Sequence, residues 1–202
     1  MAHPWGESFN HAIFGAVVGA LKDSGAVVHA HDLYAEGFDP VLTADELGKK
    51  PAQDPLVLRY MGELSESDLL VFVHPNWWGQ PPAILTGYLD RVFRPPLAYD
   101  FDPARPDLPA VGRLQGKVAL VFNTSNTDAE REDGYFHDPL EWEWIRCVFG
   151  FCGLERSRRR LFRIVSKSSA EERARWLDEA RSLALESLAE SAVPYGGEEG
   201  TP

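Results

Sequence analysis

The sequence is poor in cysteine, in long hydrophobic runs and in positive charge. Its 202 residues hold two cysteines five positions apart, Cys147 and Cys152, which form neither a disulfide framework nor a CxxC or zinc pair. No apolar run reaches the roughly 18 residues of a membrane span, and no secretory signal opens the chain, so we expect a cytoplasmic protein. Lysine and arginine number 20 against 31 acidic residues, and the net charge of −11 disfavours binding to nucleic acid or to anionic membranes.

The composition is that of an ordinary globular domain. Hydrophobic residues make up 44% of the chain and charged residues 25%, which is close to the average for folded proteins and excludes a wholly disordered chain. We predict one domain over residues 1–193, followed by a disordered tail over residues 194–202.

Predicted helices and strands alternate along the chain. Apolar residues recur at three- and four-residue spacing from Phe9 to Leu21, which predicts a helix that ends near Gly25. Continuous apolar runs such as Leu69–Val73 are typical of parallel strands buried on both faces, and residues 94–116 are predicted to form a surface loop. The predicted strands are residues 26–32, 69–73, 118–122 and 160–166. This alternation predicts an α/β fold with a parallel sheet, which binds its ligands at the carboxyl ends of the strands.

The first candidate binding segment runs from His3 to Asn10 and leads into the first predicted helix. The free amide groups of a first helical turn, together with the helix dipole, attract anions without any lysine. The side chains of Ser8 and Asn10 can add hydrogen bonds to such a ligand. Simple capping of the helix by Ser8 is the alternative interpretation.

Two further candidate segments follow predicted strands. Trp77 and Trp78 come after the apolar run and offer flat stacking surface for a planar ligand, and Gly79 lets backbone approach a ring edge. Packing of both indole rings under the Pro81-Pro82 turn is the alternative. The polar stretch Asn123–Thr127 follows the next strand, and it is either suited to hydrogen bonds with a ring edge or an ordinary polar loop.

Together these segments resemble a known family. The chain reads His-Pro-x-x-x-Ser-Phe-Asn from His3, Asp-Leu-Tyr from Asp32, Pro-x-Trp-Trp from Pro75 and Asp-Arg-Val-Phe from Asp90. In this order and spacing, over residues 2–165, the motifs resemble those of the flavodoxin-fold NAD(P)H:quinone oxidoreductases, which include the DT-diaphorase type and the ancillary quinone reductases of potassium efflux systems. The resemblance implies a flavodoxin-like three-layer sandwich with a parallel sheet in the strand order 2-1-3-4-5.

The resemblance also implies cofactors, partners and residue roles. It implies FAD or FMN at the strand ends, NAD(P)H as electron donor, a quinone-like acceptor and a homodimer. We expect the helix after Pro82 or the 94–116 loop to form the dimer interface, because Phe93, Tyr99 and Phe101 are aromatic residues that look exposed there. The implied catalytic pair is Tyr135 and His137, which lie closer together here than in the family; a core or salt-bridged His137 is the alternative. The residues implied to bind the flavin are His3, Ser8, Phe9, Asn10, Pro75, Asn76, Trp77, Trp78, Thr124, Ser125 and Asn126.

The activity implied by the resemblance is a ping-pong oxidoreduction. NAD(P)H passes a hydride to the bound flavin and leaves, and a quinone then takes two electrons from the same face. Two other functions stay open on the sequence alone. One is a flavodoxin-like electron carrier, and the other is a nucleotide-binding regulatory partner of a potassium efflux transporter.

Three other polar clusters are expected to take no part in the chemistry. His29 and His31 share a predicted strand face, but no third residue has ligand spacing, so we predict no metal site. The arginines of residues 156–160 are predicted to form a solvated turn, with a site for the 2′-phosphate of NADPH as the alternative. The acidic residues of 130–133 are predicted to lie in an exposed loop.

One expected strand is nearly absent. In the resembled family an apolar first strand precedes the His-Pro pair, and here only Met1 and Ala2 do. Met1 to His3 should therefore lie between residues 26–32 and 69–73, at their carboxyl ends, with an empty slot below. Because several unpaired buried peptide groups would exhaust the stability of a domain, we expect that the translated start lies upstream and that this chain is truncated; lost flavin affinity is the alternative.

Overall fold

The computed structural model describes residues 1–47, 50–105 and 107–196 of the chain. Of the predicted disordered tail, residues 197–202 lie outside the described residues. Tyr195, which the same prediction included, donates a hydrogen bond from its hydroxyl to Glu155 over 2.6 Å.

A parallel sheet forms the centre of the fold. The described strands are β1 (Leu69–Pro75), β2 (Tyr99–Asp100), β3 (Val111–Gly112), β4 (Val118–Thr124) and β5 (Arg156–Phe162). Strands β1, β4 and β5 pair in that order and are all parallel, with Leu69 opposite Val118 in the ladder between β1 and β4. Every residue of β4 is buried, as expected of a central strand with both faces covered. Strands β2 and β3 form a small antiparallel pair inside the predicted 94–116 loop.

Helices connect the strands, and local side chains cap several of them at their start. The helical segments are α1 (Phe9–Asp23), α2 (Ala44–Leu47), α3 (Pro55–Glu66), α4 (Ala83–Val92), a π-helical turn (Glu130–Tyr135), α5 (Pro139–Glu141) continued by a π-helix (Trp142–Gly150), a 3₁₀ turn (Val165–Lys167) and α6 (Ala170–Ser191). Ser8, Asp54 and Ser169 each accept a hydrogen bond from a first-turn amide of the helix that follows. Among the helices of the described ranges, none has the length and hydropathy needed to cross a bilayer.

Apolar side chains cover both faces of the sheet. Leu120 and Phe122 of β4 pack in a cluster with residues of α1 and α6. Ala119 and Val121 belong to a second cluster, which includes Trp144 and residues of α3 and α4. Because side chains alternate along a strand, one central strand supplies both clusters. The predicted three-layer α/β sandwich is therefore confirmed.

Residues 26–32, which were predicted to be a strand, form no strand. Within the described ranges, no backbone group of residues 27–30 makes a hydrogen bond to another backbone group. A strand forms only against a neighbouring backbone, and among the described residues Met1 pairs with this segment only at the carbonyl of His31. The prediction is wrong because the β-branched residues favour an extended conformation, but a strand also needs hydrogen bonds to a neighbouring strand, which local sequence does not reveal.

The first two residues lie between this segment and β1. The amino group of Met1 donates to the carbonyl of His31 over 2.8 Å, and the Met1 carbonyl accepts from the amide of Leu33 over 3.1 Å. On the other side, the amide of Ala2 donates to the carbonyl of Val73 over 3.0 Å. Beyond Met1, a cavity of about 530 Å³ lies between residues 26–31 and strand β1. The predicted position of Met1, with open space below it, is confirmed.

Strand β5 runs from Arg156 to Phe162, so the strand predicted at 160–166 is present but begins at Arg156 and ends at Phe162, and the predicted turn at 156–160 is wrong. The arginines are compatible with a strand because their aliphatic stems cover apolar surface while their guanidinium groups bind acidic partners. Arg160 pairs with Glu179 over 2.6 Å, and Arg158 pairs with Glu190. These ion pairs occupy the guanidinium groups that a phosphate would need.

Candidate functional site

The start of α1 forms a potential anion site near the carboxyl ends of the strands. Ser8 has an extended backbone, and its hydroxyl accepts a hydrogen bond from the amide of His11 over 3.3 Å, which caps the helix. Within the described residues, the amides of Phe9 and Asn10 have no hydrogen-bond acceptor. Capping and anion binding are therefore compatible, because Ser8 satisfies one amide and leaves two for a ligand.

Asn10 connects this helix start to the end of β4. Its side chain is buried, and its amide nitrogen donates to the hydroxyl of Thr124 over 2.9 Å. Its side-chain oxygen is buried without a hydrogen-bond partner in the described part of the chain. An unpaired buried polar atom is costly. A ligand hydroxyl or phosphate bound at this position would pair it, so these residues fit a flavin phosphate or ribityl group.

His3 closes the same site from the N-terminal side. Its ring lies 5.8 Å from that of Trp77, measured between centroids, and its Nδ1 accepts from the amide of Trp5 over 3.1 Å. Burial lowers the pKa of His3, which favours the neutral ring. His11, in the first turn of α1, contacts Asp32 through Nε2 over 3.0 Å. The predicted segments at 3–10 and 75–78 are thus brought together.

The loop after β1 presents its two tryptophans to solvent. Trp77 is 40% exposed and Trp78 is 98% exposed, so neither packs in the core, and the alternative of two buried indole rings is wrong. Hydrogen bonds within the loop hold its backbone in place. The backbones of Trp77 and Gln80 exchange two hydrogen bonds, and the side-chain oxygen of Asn76 accepts from the amide of Gly79 over 2.9 Å. Trp78 has a φ of +61°, a left-handed conformation that is uncommon for a bulky residue.

The loop after β4 is adjacent to the loop after β1. The Thr124 carbonyl accepts from the amide of Asn76 over 2.7 Å, and Ser125 is buried beneath it. Asn126 is exposed, and its side-chain oxygen accepts from the amide of Ser166 over 2.9 Å. Asn126 therefore holds the segment after β5 through its side-chain oxygen. Its side-chain nitrogen is left to donate to a ligand.

Glu132 joins these two loops, and the sequence analysis missed it. It was predicted to lie in an exposed loop, but it is 1% exposed and belongs to the π-helical turn. Its carboxylate accepts from the side-chain amide of Asn76 over 2.7 Å and from the hydroxyl of Ser125 over 3.0 Å. The error arose because the surrounding residues are charged and exposed, and only tertiary packing distinguishes Glu132 from them.

The implied catalytic pair follows the same turn. Tyr135 is 76% exposed and its ring contacts that of Phe136 at 5.3 Å between centroids. His137 is exposed, has a φ of +59° and makes no ion pair with any described residue. The alternatives of a core histidine and a salt-bridged histidine are therefore wrong. Both side chains are accessible to a ligand, while Asp138 next to them pairs with Arg159.

A buried polar network lies beneath the loops, and the sequence analysis missed it too. His74, fully buried at the end of β1, donates from Nδ1 to the carbonyl of Pro75 over 2.8 Å. Its Nε2 accepts from the side chains of Asn123, over 2.7 Å, and Trp144, over 2.9 Å. Arg159 extends the network by donating to Asn123 over 3.2 Å. Burial lowers the pKa of His74 to about 3. The sequence signal that could have indicated this network is His74 itself, a polar residue directly after the apolar run Leu69–Val73.

Replacing Glu132 with alanine is expected to loosen both loops. The buried hydroxyl of Ser125 and the half-buried amide of Asn76 would lose their acceptor, which costs about 1–3 kcal/mol of the free energy of unfolding. The affinity for a ligand held between these two loops should fall roughly tenfold, because binding must then order the loops as well. Denaturant unfolding and flavin titration measure the two effects. Glu132→Gln is the matched control because its amide can still accept from Asn76; equal losses in the two variants would contradict the assignment.

The comparisons with known proteins agree with this geometry. A family model described as the flavodoxin-like fold matches residues 1–184. A protein from Haemophilus influenzae, named as an uncharacterized NAD(P)H oxidoreductase, is 33% identical over 168 residues, which is 80% of this chain and 80% of its own length. The ribosyldihydronicotinamide dehydrogenase (quinone) of Mus musculus is 28% identical over 226 residues, covering 96% of this chain and 94% of its own.

A solved structure has the same fold. The crystal structure of Smu.1420 from Streptococcus mutans UA159 superimposes with a TM-score of 0.79 and 29% sequence identity. The match covers 91% of this chain and 98% of that one.

Proposed function

Because this chain belongs to the family with the flavodoxin-like fold, we propose that it is a flavin-dependent NAD(P)H oxidoreductase that reduces a quinone-like acceptor. Two relatives support the choice of substrates, since one is named as an NAD(P)H oxidoreductase and the other as a quinone-reducing dehydrogenase. The observation that carries the proposal is the site at the strand ends. There, the start of α1 has amides, and Asn10 a side-chain oxygen, that no described residue pairs. Asn10 bonds to Thr124, and Thr124 bonds to Asn76 in the loop that carries the two exposed tryptophans.

Each loop of the site would hold a different part of the flavin. Ser8, Asn10 and the amide of Phe9 would bind the phosphate, with His3 beside them. The Phe9 side chain takes no part, because its ring packs against Phe162 and Trp176. The ring system would lie along Pro75–Trp78 and against Thr124, Ser125 and Asn126. FMN and FAD both remain compatible with these contacts. The bound flavin supplies the two-electron chemistry, accepting from NAD(P)H and delivering to the quinone in separate half-reactions.

Tyr135 and His137 would assist by donating hydrogen bonds. Both are exposed beside the loops that would hold the ring. In this role the Tyr135 hydroxyl and the His137 imidazole would stabilise negative charge that develops on a reduced ring or on a quinol oxygen. Removing such a donor should lower turnover more than it lowers flavin affinity.

We further propose a cytoplasmic homodimer. Free thiols at Cys147 and Cys152 suit a reducing compartment. Of the three aromatic residues that motivated the dimer, Phe101 is 48% exposed and suits an interface, whereas Phe93 is 6% exposed and belongs to the core instead. Sedimentation at micromolar concentration would test the dimer, and a 22.6 kDa species alone would contradict it.

Turnover of NADPH with menadione, in the presence of added flavin, tests the proposed activity. An oxidoreductase should consume NADPH continuously and in proportion to menadione reduced. A flavodoxin-like carrier would bind flavin and yet show almost no turnover, and a regulatory nucleotide-binding protein would bind NADPH without consuming it. Either of those results would overturn the proposal.

Replacing Trp78 with alanine is expected to weaken flavin retention and to leave the fold intact. The side chain is 98% exposed, so the free energy of unfolding of the flavin-free protein should change by no more than about 0.5 kcal/mol. Loss of the stacking surface should weaken flavin binding roughly tenfold. Fluorescence titration and thermal melting report the two quantities. If the variant unfolds while its folded fraction binds flavin normally, the stacking role is wrong.

A further inference from the structure

Two neighbouring residues beside the site, His137 and Asp138, both have a left-handed backbone. Their φ angles are +59° and +43°. Residues other than glycine adopt this conformation rarely, and then as single residues, because the side chain crowds the following carbonyl oxygen. A strained backbone persists only where the surrounding structure holds it, and such strain clusters at functional sites. The contacts of this turn, residues 137–138, show what holds it.

Backbone hydrogen bonds fix the turn through Asp138. Its amide donates to the carbonyl of Glu132 over 2.9 Å, and its carbonyl accepts from the amide of Glu141 over 3.1 Å. Among the described residues, the backbone of His137 makes no hydrogen bond of its own. The orientation of His137 therefore depends on how firmly Asp138 is held.

The side chain of Asp138 is held by Arg159 of β5. The two form an ion pair in which the Arg159 side chain is only 3% exposed. The same guanidinium group donates to Glu141 over 3.1 Å and to the side-chain oxygen of Asn123 over 3.2 Å. Asn123 in turn binds the buried His74 over 2.7 Å. The turn is thus tied to the ends of the central strands.

The placement of this ion pair favours a geometric role. Arg158 and Arg160 pair with acidic residues of α6, and because side chains alternate along a strand, Arg159 lies on the opposite face of the sheet. A buried ion pair adds little to stability, since removing both charges from water offsets their attraction. One carboxylate oxygen of Asp138 is also buried with no partner among the described residues, which is a further cost.

The turn is in direct contact with the loop that carries the tryptophans. Pro139 follows the turn and packs against Gly79, where an added Cβ atom would lie 3.1 Å from the Cγ of Pro139. Gly79 directly follows Trp78. The segments that carry His137 and Trp78 therefore touch, and a shift of the turn would move His137 relative to the proposed flavin ring.

We propose that Asp138 and Arg159 are positioning residues for His137, because their ion pair holds the left-handed turn that presents the imidazole to the flavin site. This inference rests on the proposed oxidoreductase function, in which His137 donates a hydrogen bond to developing negative charge. A donor is most effective when it is already oriented before the reaction, since no reorganisation is then needed as the charge develops. Asp138 and Arg159 act through His137 and need no contact with the substrate.

Two substitutions of Asp138 separate the ion pair from the backbone conformation. Asp138→Gly removes the carboxylate, but glycine adopts a positive φ without strain, and Arg159 keeps Glu141 and Asn123 as partners. Asp138→Asn also tolerates the left-handed backbone, and its side-chain oxygen can still accept from Arg159. Menadione reduction should show a kcat at least about tenfold lower in Asp138→Gly and within about threefold of the wild type in Asp138→Asn.

Flavin affinity and a control variant separate positioning from general damage to the site. Both Asp138 variants should bind flavin within about threefold of the wild type, because Asp138 is not proposed to contact the flavin. Glu141→Ala is the matched control, since it removes an exposed partner of the same guanidinium group, and its kcat should be unchanged. Equal losses of kcat in Asp138→Gly and Asp138→Asn, or a loss of flavin affinity that matches the loss of kcat, would overturn the proposal.

A double-mutant cycle tests whether the effect passes through His137. Once His137 is replaced by alanine, Asp138→Gly should lower kcat by no more than about a further twofold, because there is no imidazole left to position. If the two losses multiply instead, the ion pair acts by another route and the proposal is wrong. A His137→Ala variant with the kcat of the wild type would also contradict it.

Nuclear magnetic resonance of the flavin-free protein gives a test that does not depend on activity. A positive φ brings the amide proton of a residue close to its own Hα, so His137 should show a strong intraresidue NOE in the wild type and in Asp138→Asn. This NOE should weaken in Asp138→Gly, and equal intensity in all three proteins would overturn the proposal. If the NOE behaves as expected while the wild type shows no turnover, the ion pair is supported as the tether of the turn and the proposed activity is wrong.

Discussion

Acidification from pH 6.5 toward pH 3 is expected to lower the free energy of unfolding by up to about 5 kcal/mol through His74 alone. The cause is burial, which holds the folded-state pKa of this imidazole at about 3 against an ordinary value of 6.5. Between these two values the unfolded chain binds a proton that the folded chain does not, so stability falls as the pH falls. Protonation would also place a proton on Nε2, which already accepts from Asn123 and Trp144.

Denaturant unfolding at a series of pH values measures this loss, and His74→Gln is the control. At neutral pH the variant should be less stable than the wild type, because its amide cannot reproduce all three hydrogen bonds of the imidazole. Toward pH 4 the difference should shrink, since only the wild type takes up the proton. A difference that stays constant with pH would show that His74 does not titrate in this way.

The buried amino group of Met1 adds a smaller pH dependence of the free energy of unfolding, which also falls as the pH falls, but at higher pH than for His74. Its pKa falls from 8.0 to about 6 because of burial, so this group stabilises the fold progressively as pH rises from 6 to 8. The two pH windows overlap only between about pH 6 and 6.5, and the His74→Gln variant should retain the change above pH 6.5.

Replacing Ser8 with aspartate is expected to abolish tight flavin binding while preserving the fold. Aspartate caps a helix as well as serine does, so α1 should be at least as stable as before. Its carboxylate would, however, lie where the flavin phosphate is proposed to bind. Two like charges about 4 Å apart repel by about 4 kcal/mol at an effective dielectric constant of about 20. Affinity should therefore fall at least about a hundredfold.

Ser8→Asn is the control for Ser8→Asp, because asparagine has nearly the shape of aspartate without its charge. Asparagine is also a good N-cap and carries no charge, so this variant should bind flavin within about tenfold of the wild type. Isothermal titration with FMN and with FAD measures both variants. If Ser8→Asp binds flavin as tightly as Ser8→Asn does, the phosphate is not at the start of α1.

Local chemistry explains why much of the fold was predictable. Ser8, Asp54 and Ser169 are helix caps by their own side-chain geometry, and the apolar runs of β1 and β4 mark strands buried on both faces. The positions of the candidate site segments follow from the same pattern, because parallel strands end at one edge of a sheet.

The errors share a different cause, which is dependence on distant partners. Residues 26–32 have strand-forming composition but no strand beside them, and Arg156 starts a strand because acidic groups far along the chain neutralise its neighbours. Glu132 looks like its exposed neighbours in sequence, and only Asn76 and Ser125 explain its burial. Such features require the folded structure.

Rapid mixing of the flavin-loaded protein, first with NADPH and then with menadione, observes the two proposed half-reactions separately. We expect that NADPH alone, in the absence of oxygen, bleaches the visible absorbance of the bound flavin and that menadione restores it. The slower of the two rates should equal the rate of steady-state turnover. Bound flavin that NADPH leaves oxidised, or reduced flavin that menadione does not reoxidise, would contradict the assignment of this chain as an NAD(P)H:quinone oxidoreductase.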